Sequence, residues 1–485
     1  MIKAPVTLAT FLAICAIASP AQAADSVEDR IARVENGLVG KYMIKGKPVA
    51  PSKIAERMAT MKVPGLSVAV INNGAIEWAR GYGVVEAGGK QAVTTDTLFQ
   101  AASISKPVAA MGALRLVEQG TLSLDQDINA KLTTWKIPAG AQTAEAPVTL
   151  RNLLNHSAGT TVHGFRGYAA GEEVPSVLQL LDGAKPANSA PVRVERKPGE
   201  GWKYSGGGIS IAQLAMSSAA GKAFAPLMKD SVLDPVGMKN STFEQPLPAS
   251  LHAAAASGHN NKGEPIKGKW HTYPEQAAAG LWTTPSDLAR FALELQNASA
   301  GKSNKVISKA MAAQMLTRLK GTYGLGIDVG NAQGMPTFSH GGSNAGFRTM
   351  MFAFTSTGQG AVVMTNGDNG GALTGDVLRS IAAVYGWTDW RVTEKEMAKV
   401  DSKMYANYAG NYEIDGKPVS VLHEGERLLV SAPMMGLERM ELYPASETTY
   451  FDLVGDATYA FEKDEAGKFD FVIKLGSTRR AKRVP

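Results

Sequence analysis

The chain has 485 residues, 44% hydrophobic and 19% charged, with a formal net charge of +6; this is a folded composition with room for two domains, and it excludes a disordered polyelectrolyte. The Lys and Arg residues are dispersed apart from Arg479, Arg480, Lys482 and Arg483, which read as a solvated tail, so the modest charge gives no nucleic-acid-binding face. The one cysteine, Cys15, falls in a leader, which removes disulfides and cysteine-based chemistry from the remainder.

Residues 1–23 read as a signal peptide: Lys3, an apolar run from Val6 to Ala18, a helix-breaking Ser19-Pro20 and a small-residue site at Ala21-Gln22-Ala23. The run is short for a membrane span, and Ile14 is bulkier than a lipoprotein processing site before Cys15 prefers. An exported product, periplasmic or secreted and without a stable membrane anchor, is therefore expected. Residues 24–50 form a polar extension, helical at first and punctuated by Pro48, and the main domain is expected over 51–392.

There, Gly65 to Ile71 reads as a strand, Asn72-Asn73-Gly74 as a hairpin turn and Ala75 to Gly81 as the returning strand. Thr95 to Gln100 is extended. The spacing of Ile104, Val108, Met111, Leu114 and Val117, closed by Gly120, predicts an amphipathic helix. Helical patterns dominate to about Gln296, including Ile209 to Ala220 and Ser286 to Gln296, the latter opened by a Thr284-Pro285-Ser286-Asp287 cap. Strands return at Thr349 to Phe354 and Ala361 to Thr365, then a helix at Thr374 to Tyr385. One sheet thus draws strands from both ends of the domain, with a helical region inserted between them. Residues 393–402 read as a charged helical linker. Over 403–485 short strands recur at Gly410 to Ile414, Val419 to His423, Leu428 to Ser431, Thr449 to Leu453 and Phe469 to Lys474, an all-β pattern.

Ser103-Ile104-Ser105-Lys106 carries the chemistry. Three residues apart at a helix start, Ser103 and Lys106 become neighbours. Orphan amides there favour an anion on an attacked carbonyl oxygen, while a desolvated lysine near a second cation loses its proton and activates the hydroxyl, as acyl transfer requires. A second copy of the spacing, Ser299 to Lys302, lies in a polar stretch that reads as a surface loop. Two downstream motifs are candidate partners: Tyr204-Ser205-Gly206-Gly207-Gly208, whose phenol would ionise more easily between Lys106 and another cation and relay a proton, and His340-Gly341-Gly342-Ser343, where missing side chains let substrate approach backbone amides.

In this order the three motifs resemble the serine β-lactamase and penicillin-binding-protein family, especially its class C, D-alanyl-D-alanine carboxypeptidase and family VIII esterase branches. The resemblance covers roughly residues 50 to 390 and extends to Leu153-Leu154-Asn155-His156-Ser157-Ala158-Gly159, Ala279-Gly280-Leu281-Trp282-Thr283-Thr284, Asp287-Leu288-Ala289-Arg290-Phe291 and Tyr323-Gly324-Leu325-Gly326. It implies an α+β fold: an antiparallel sheet flanked by helices with an inserted helical subdomain, followed by a small C-terminal all-β barrel. Tyr405 to Tyr412 and the strands after it resemble the lipocalin-like barrels appended to some relatives.

The resemblance implies that Ser103 is acylated, that Lys106 accepts its proton, that Tyr204 passes a proton to the leaving atom, and that the amides of Ser103 and Ser343 form the oxyanion hole. It places His340, Gly341, Gly342 and Gly206 at the substrate. Two departures bear on specificity. Gly206 stands where relatives that bind acylamino groups often have asparagine, which disfavours penicillins. His340 stands where many carry lysine, so the pocket's positive charge is expected to titrate near neutrality.

His156 is expected as a buried hydrogen-bonding residue, and His163, His252, His259, His271 and His423 lack metal-ligand spacing, so no metal or cofactor is expected. No G-x-S-x-G elbow occurs, and Gly301-Lys302-Ser303 has Gln296 in place of a phosphate loop's first glycine. The expected function is an exported serine hydrolase of small-molecule or peptide substrates, acting through an acyl-enzyme on D-amino-acid-containing peptides or related small amides and esters. A short-chain carboxylesterase, a β-lactamase and a non-catalytic penicillin-binding-like sensor or scaffold are the alternatives.

Overall fold

The computed structural model describes Met1, residues 25–433 and residues 437–484; apart from Met1, the expected signal peptide lies outside the described residues. A six-stranded antiparallel sheet runs in the order Ala75–Gly83, Gly65–Asn72, Gly360–Thr365, Phe347–Phe354, Met335–Asn344, Asp328–Ala332. Its first two strands come from one end of the domain and the other four from the opposite end, with the helical region between them. Asn73 and Gly74 both have positive φ, the requirement of a two-residue hairpin turn with the strands' own twist.

Strand Gly65–Asn72 is apolar on both faces because both are covered. Leu66, Val68 and Val70 join a core with Ile31, Val34, Val377 and Ile381, while Ala69 and Ile71 join a larger one with Val108, Leu114, Leu288 and Leu295. The first core corrects the reading of residues 24–50 as an extension. The Val27–Asn36 helix, opened by a reciprocal Ser26–Asp29 capping box, buries Ile31 and Val34 beside the Gly370–Tyr385 helix.

The linker is also corrected. Thr393–Lys395 is a strand, paired in parallel with Tyr42–Ile44, and only Ser402–Met404 forms a short helical turn. Tertiary contacts override the helical pattern: Lys395 Nζ lies 3.6 Å from the centroid of the Tyr42 ring and donates to the carbonyls of Asp452 and Gly455. The second Ser-x-x-Lys copy is not wholly loop, since Ser299 sits in the last turn of the Pro285–Ala300 helix, ended by left-handed Gly301.

Eight strands between Gly410 and Val484 close a barrel. Three of them, Leu437–Pro444, Thr458–Lys463 and Ser477–Val484, were not foreseen. The last corrects the solvated tail: it pairs with both Phe469–Leu475 and Gly410–Ile414 and so closes the barrel. Ala481 points into the core, and Arg480 meets Glu462 and Asp470 on the outer side. Aromatic rings fill the interior, with Tyr408 stacked on Phe461 at 4.2 Å and Phe461 5.2 Å from Phe471. Among the described residues no helix is long and apolar enough to cross a membrane.

Candidate active site

Ser103 lies in a single 3₁₀ turn, Ala102–Ile104, directly ahead of the Ser105–Glu118 helix. Ala102 has φ of 50°, a left-handed conformation that costs a non-glycine residue about 1 kcal/mol and persists only where its surroundings enforce it. Three contacts do so. Ser105 Oγ donates to the Ala102 carbonyl at 2.6 Å and accepts from Leu281 N at 3.0 Å. Thr349 Oγ1 donates to the Ala101 carbonyl at 3.1 Å. Gly342 completes the clamp, because a Cβ there would stand 2.2 Å from both the Ala101 carbonyl and Thr349 Oγ1. Besides lying in the wall of the cavity where the sequence expects substrate, Gly342 lets the nucleophile turn lie against the sheet.

Lys106 is buried beneath the turn. Its Nζ is 2.9 Å from Ser103 Oγ and donates to the Ala278 carbonyl at 2.7 Å. Burial without a neighbouring carboxylate holds the ammonium down to about 7. The neutral amine, keeping an N–H on Ala278, has its lone pair free for the Ser103 hydroxyl.

Tyr204 precedes Ser205, which caps the Gly206–Ala220 helix by accepting from Gly208 N and anchors itself by donating to the Thr161 carbonyl at 2.7 Å. The Lys106 ammonium position is 5.0 Å from the Tyr204 ring centroid. Burial pushes the phenol up to about 12, outweighing the opposing influence of the nearby Ser103 hydroxyl. This corrects the expectation of an easily ionised phenol: Tyr204 is a neutral hydroxyl beside Ser103, suited to giving and receiving protons but not to being a standing phenolate.

Nor does His340 supply a second cation beside Tyr204. His340 is buried, its Nδ1 donates to the Gly341 carbonyl at 2.7 Å, and its Nε2 accepts from the Tyr323 hydroxyl at 2.6 Å. Burial first, then repulsion from Lys106, holds the imidazole down to about 3. The expected near-neutral titration of His340 is therefore not what this fold favours, because burial disfavours the imidazolium and Lys106 repels it.

Ser103, Tyr204, His340, Gly341, Gly342 and Ser343 line one cavity of about 490 Å³. Gly206 does not. It is buried, and a Cβ on it would meet the Phe165 ring and the His163 carbonyl. His156 is buried, as expected, and its Nδ1 accepts from Ser205 N, with its ring 4.4 Å from that of Tyr204. Sequence reasoning missed Asp328, Arg348 and Trp390 in the cavity wall and the part played by Tyr323. The Tyr323-Gly324-Leu325-Gly326 segment pointed to Tyr323, whereas nothing local marked the others. No cluster of ligating side chains able to hold a metal occurs among the described residues.

Residues 51–385 match the family described as Beta-lactamase, and the chain belongs to that family, whose members are serine hydrolases of the β-lactamase and penicillin-binding-protein type. Among its relatives, penicillin-binding protein 4* of Bacillus subtilis is 24% identical over 448 residues, covering 86% of this chain and 94% of the relative. Among solved structures, the octameric penicillin-binding protein homologue from Pyrococcus abyssi superposes with a TM-score of 0.60 at 20% identity, over 88% of this chain and 98% of that one. The D-amino acid amidase from Ochrobactrum anthropi superposes with a TM-score of 0.56 at 19% identity, over 74% and 99%.

Proposed function

We propose that the protein is a serine hydrolase that works through an acyl-enzyme on D-amino-acid-containing peptides or related small amides and esters. The observation that carries the reading is the buried Lys106 in hydrogen-bond contact with Ser103 at 2.9 Å, where burial brings its ammonium down to about 7. Lys106 takes the Ser103 proton as Oγ attacks the substrate carbonyl. The carbonyl oxygen, now an anion, is received by the amides of Ser103 and Ser343. The tetrahedral species collapses as the leaving nitrogen or oxygen receives a proton through Tyr204, which is restored from Lys106. Water then repeats the sequence on the acyl-serine, giving its proton to the same pair and releasing the acid.

The similarity to a D-amino acid amidase supports the D-amino-acid class, and the filled space at Gly206, where no side-chain amide can meet an acylamino group, favours simple amides and esters over penicillins. A short-chain carboxylesterase is the second reading on the same observation. The leader at residues 1–23 supports action outside the cytoplasm.

The test is intact-protein mass after brief mixing of wild type and Ser103→Ala with D-alanyl esters, short-chain activated esters and penicillins. A wild-type adduct absent from the variant is the expected result, and its mass identifies the acyl class. No adduct and no consumption of any reagent would overturn the reading in favour of a non-catalytic binding protein.

A further inference from the structure

A second, larger cavity of about 740 Å³ adjoins the one in front of Ser103, and Gly371, Gly375 and Trp390 belong to the walls of both. It lies where the barrel segment Leu453-Val454 comes down on the start of the Gly370–Tyr385 helix. This roof is tied in place by the Lys395 bonds to Asp452 and Gly455 and by a Lys41–Asp456 ion pair at 2.6 Å.

The lining carries more positive than negative charge. Arg57 and Arg379 share the single buried carboxylate of Asp376, which leaves that cluster cationic. Arg391 is exposed and makes no ion pair among the described residues, its Nε donating only to the Trp387 carbonyl. Asp389, the other carboxylate of the lining, accepts from the amide of Trp390 at 2.7 Å. Trp390 itself has φ of 56°, a strained conformation for a bulky side chain that sets its ring at the junction. Trp390, Leu453 and Val454 give apolar walls beside these cations.

We propose that this cavity is a second substrate subsite, which takes the distal part of an elongated acyl substrate that is apolar along its length and carries a carboxylate at its far end. The inference rests on the hydrolase reading of Ser103. Bound across the junction, the reacting carbonyl sits at Ser103 while the remote carboxylate meets the Arg391 and Arg57–Arg379 side of the cavity. A neutral chain of the same length keeps the apolar contacts and loses the charge attraction.

Three 4-nitrophenyl esters test this with the full-length protein: acetate, which is confined to the Ser103 cavity, octanoate, and the hemi-ester of suberic acid, equal in length to octanoate but anionic. The hemi-suberate is expected to exceed octanoate in kcat/KM by about tenfold at low salt, with the advantage shrinking as salt screens it. Arg391→Glu should abolish or invert that ratio. Ala372→Leu, at an exposed position in the wall of the larger cavity but not of the Ser103 cavity, should lower both long esters relative to acetate. Equal values for the two long esters in wild type and Arg391→Glu, with acetate hydrolysed normally, would overturn the subsite and leave the hydrolase intact. If no ester is hydrolysed, the hydrolase reading fails, and calorimetry of suberate with Ser103→Ala decides the subsite alone: binding weakened by Arg391→Glu sustains it, and no binding ends it.

Discussion

Phe165 occupies the space that a side chain at Gly206 would need: a Cβ there would stand 2.8 Å from Cε2 of the ring. The glycine is thus a packing requirement as well as a departure from relatives with an amide at that position. Gly206→Asn alone is expected to cost about 1–3 kcal/mol by overpacking. Combined with Phe165→Ala, the two changes should couple favourably by more than about 1 kcal/mol in a double-mutant cycle read by urea denaturation. Strict additivity would show that the ring yields without cost.

The pH dependence of acylation should report Lys106. Because the amine must be neutral to accept the serine proton, kcat/KM is expected to rise with pH through a midpoint near 7, the value to which burial brings it. Lys106→Arg, which stays charged, should remove acylation at every pH. A wild-type profile flat from pH 5.5 to 9 would sink the assignment.

His340 should be silent over the same range. With its imidazole held down to about 3, it carries no charge between pH 5.5 and 8.5, so the Michaelis constant for a carboxylate-bearing substrate should not follow a histidine titration. Tyr323→Phe removes the donor to His340 Nε2 and leaves a buried acceptor unpaired, at a cost of about 1–3 kcal/mol of stability. A variant as stable as wild type would show that the acceptor finds another partner.

Tyr204→Phe should fold normally and slow turnover about a hundredfold, the scale of one acid-base group. Full activity would place the proton path elsewhere, for instance through Lys106 alone.

Glu275 gives a stability test separate from catalysis. It directly precedes the Gln276–Ala279 helix whose Ala278 carbonyl receives Lys106, it is fully buried, and neither carboxylate oxygen has a hydrogen-bond partner. Burial raises it from 4.5 to about 8. A carboxyl whose folded value lies above its unfolded one stabilises the fold fully below pH 4.5, and that contribution is lost as pH rises to 8, in all about 4–5 kcal/mol. Wild type should therefore lose melting temperature between pH 5 and 8.5 relative to Glu275→Gln, which has no proton to lose. Parallel curves for the two proteins would refute the neutral carboxyl.

Where periodicity and turn chemistry act over a few residues, the sequence was sufficient. The Asn73-Gly74 hairpin, the Thr284 cap, the Ser103–Lys106 adjacency and the all-β character of the C-terminal part follow from left-handed turn residues, orphan amides, helical geometry and strand alternation. Tertiary structure decided what depends on burial. The same Lys106, Tyr204 and His340 that the sequence placed together have their charge states set by how much water surrounds them, and desolvation made two of the three neutral where proximity alone suggested ionisation. Likewise the arginine-rich end of the chain became a closing strand because two neighbouring strands offered it backbone partners, and Trp390, remote from every motif, came to line the same cavity as Ser103. Local pattern carries geometry, but dielectric and long-range pairing exist only once the chain has folded.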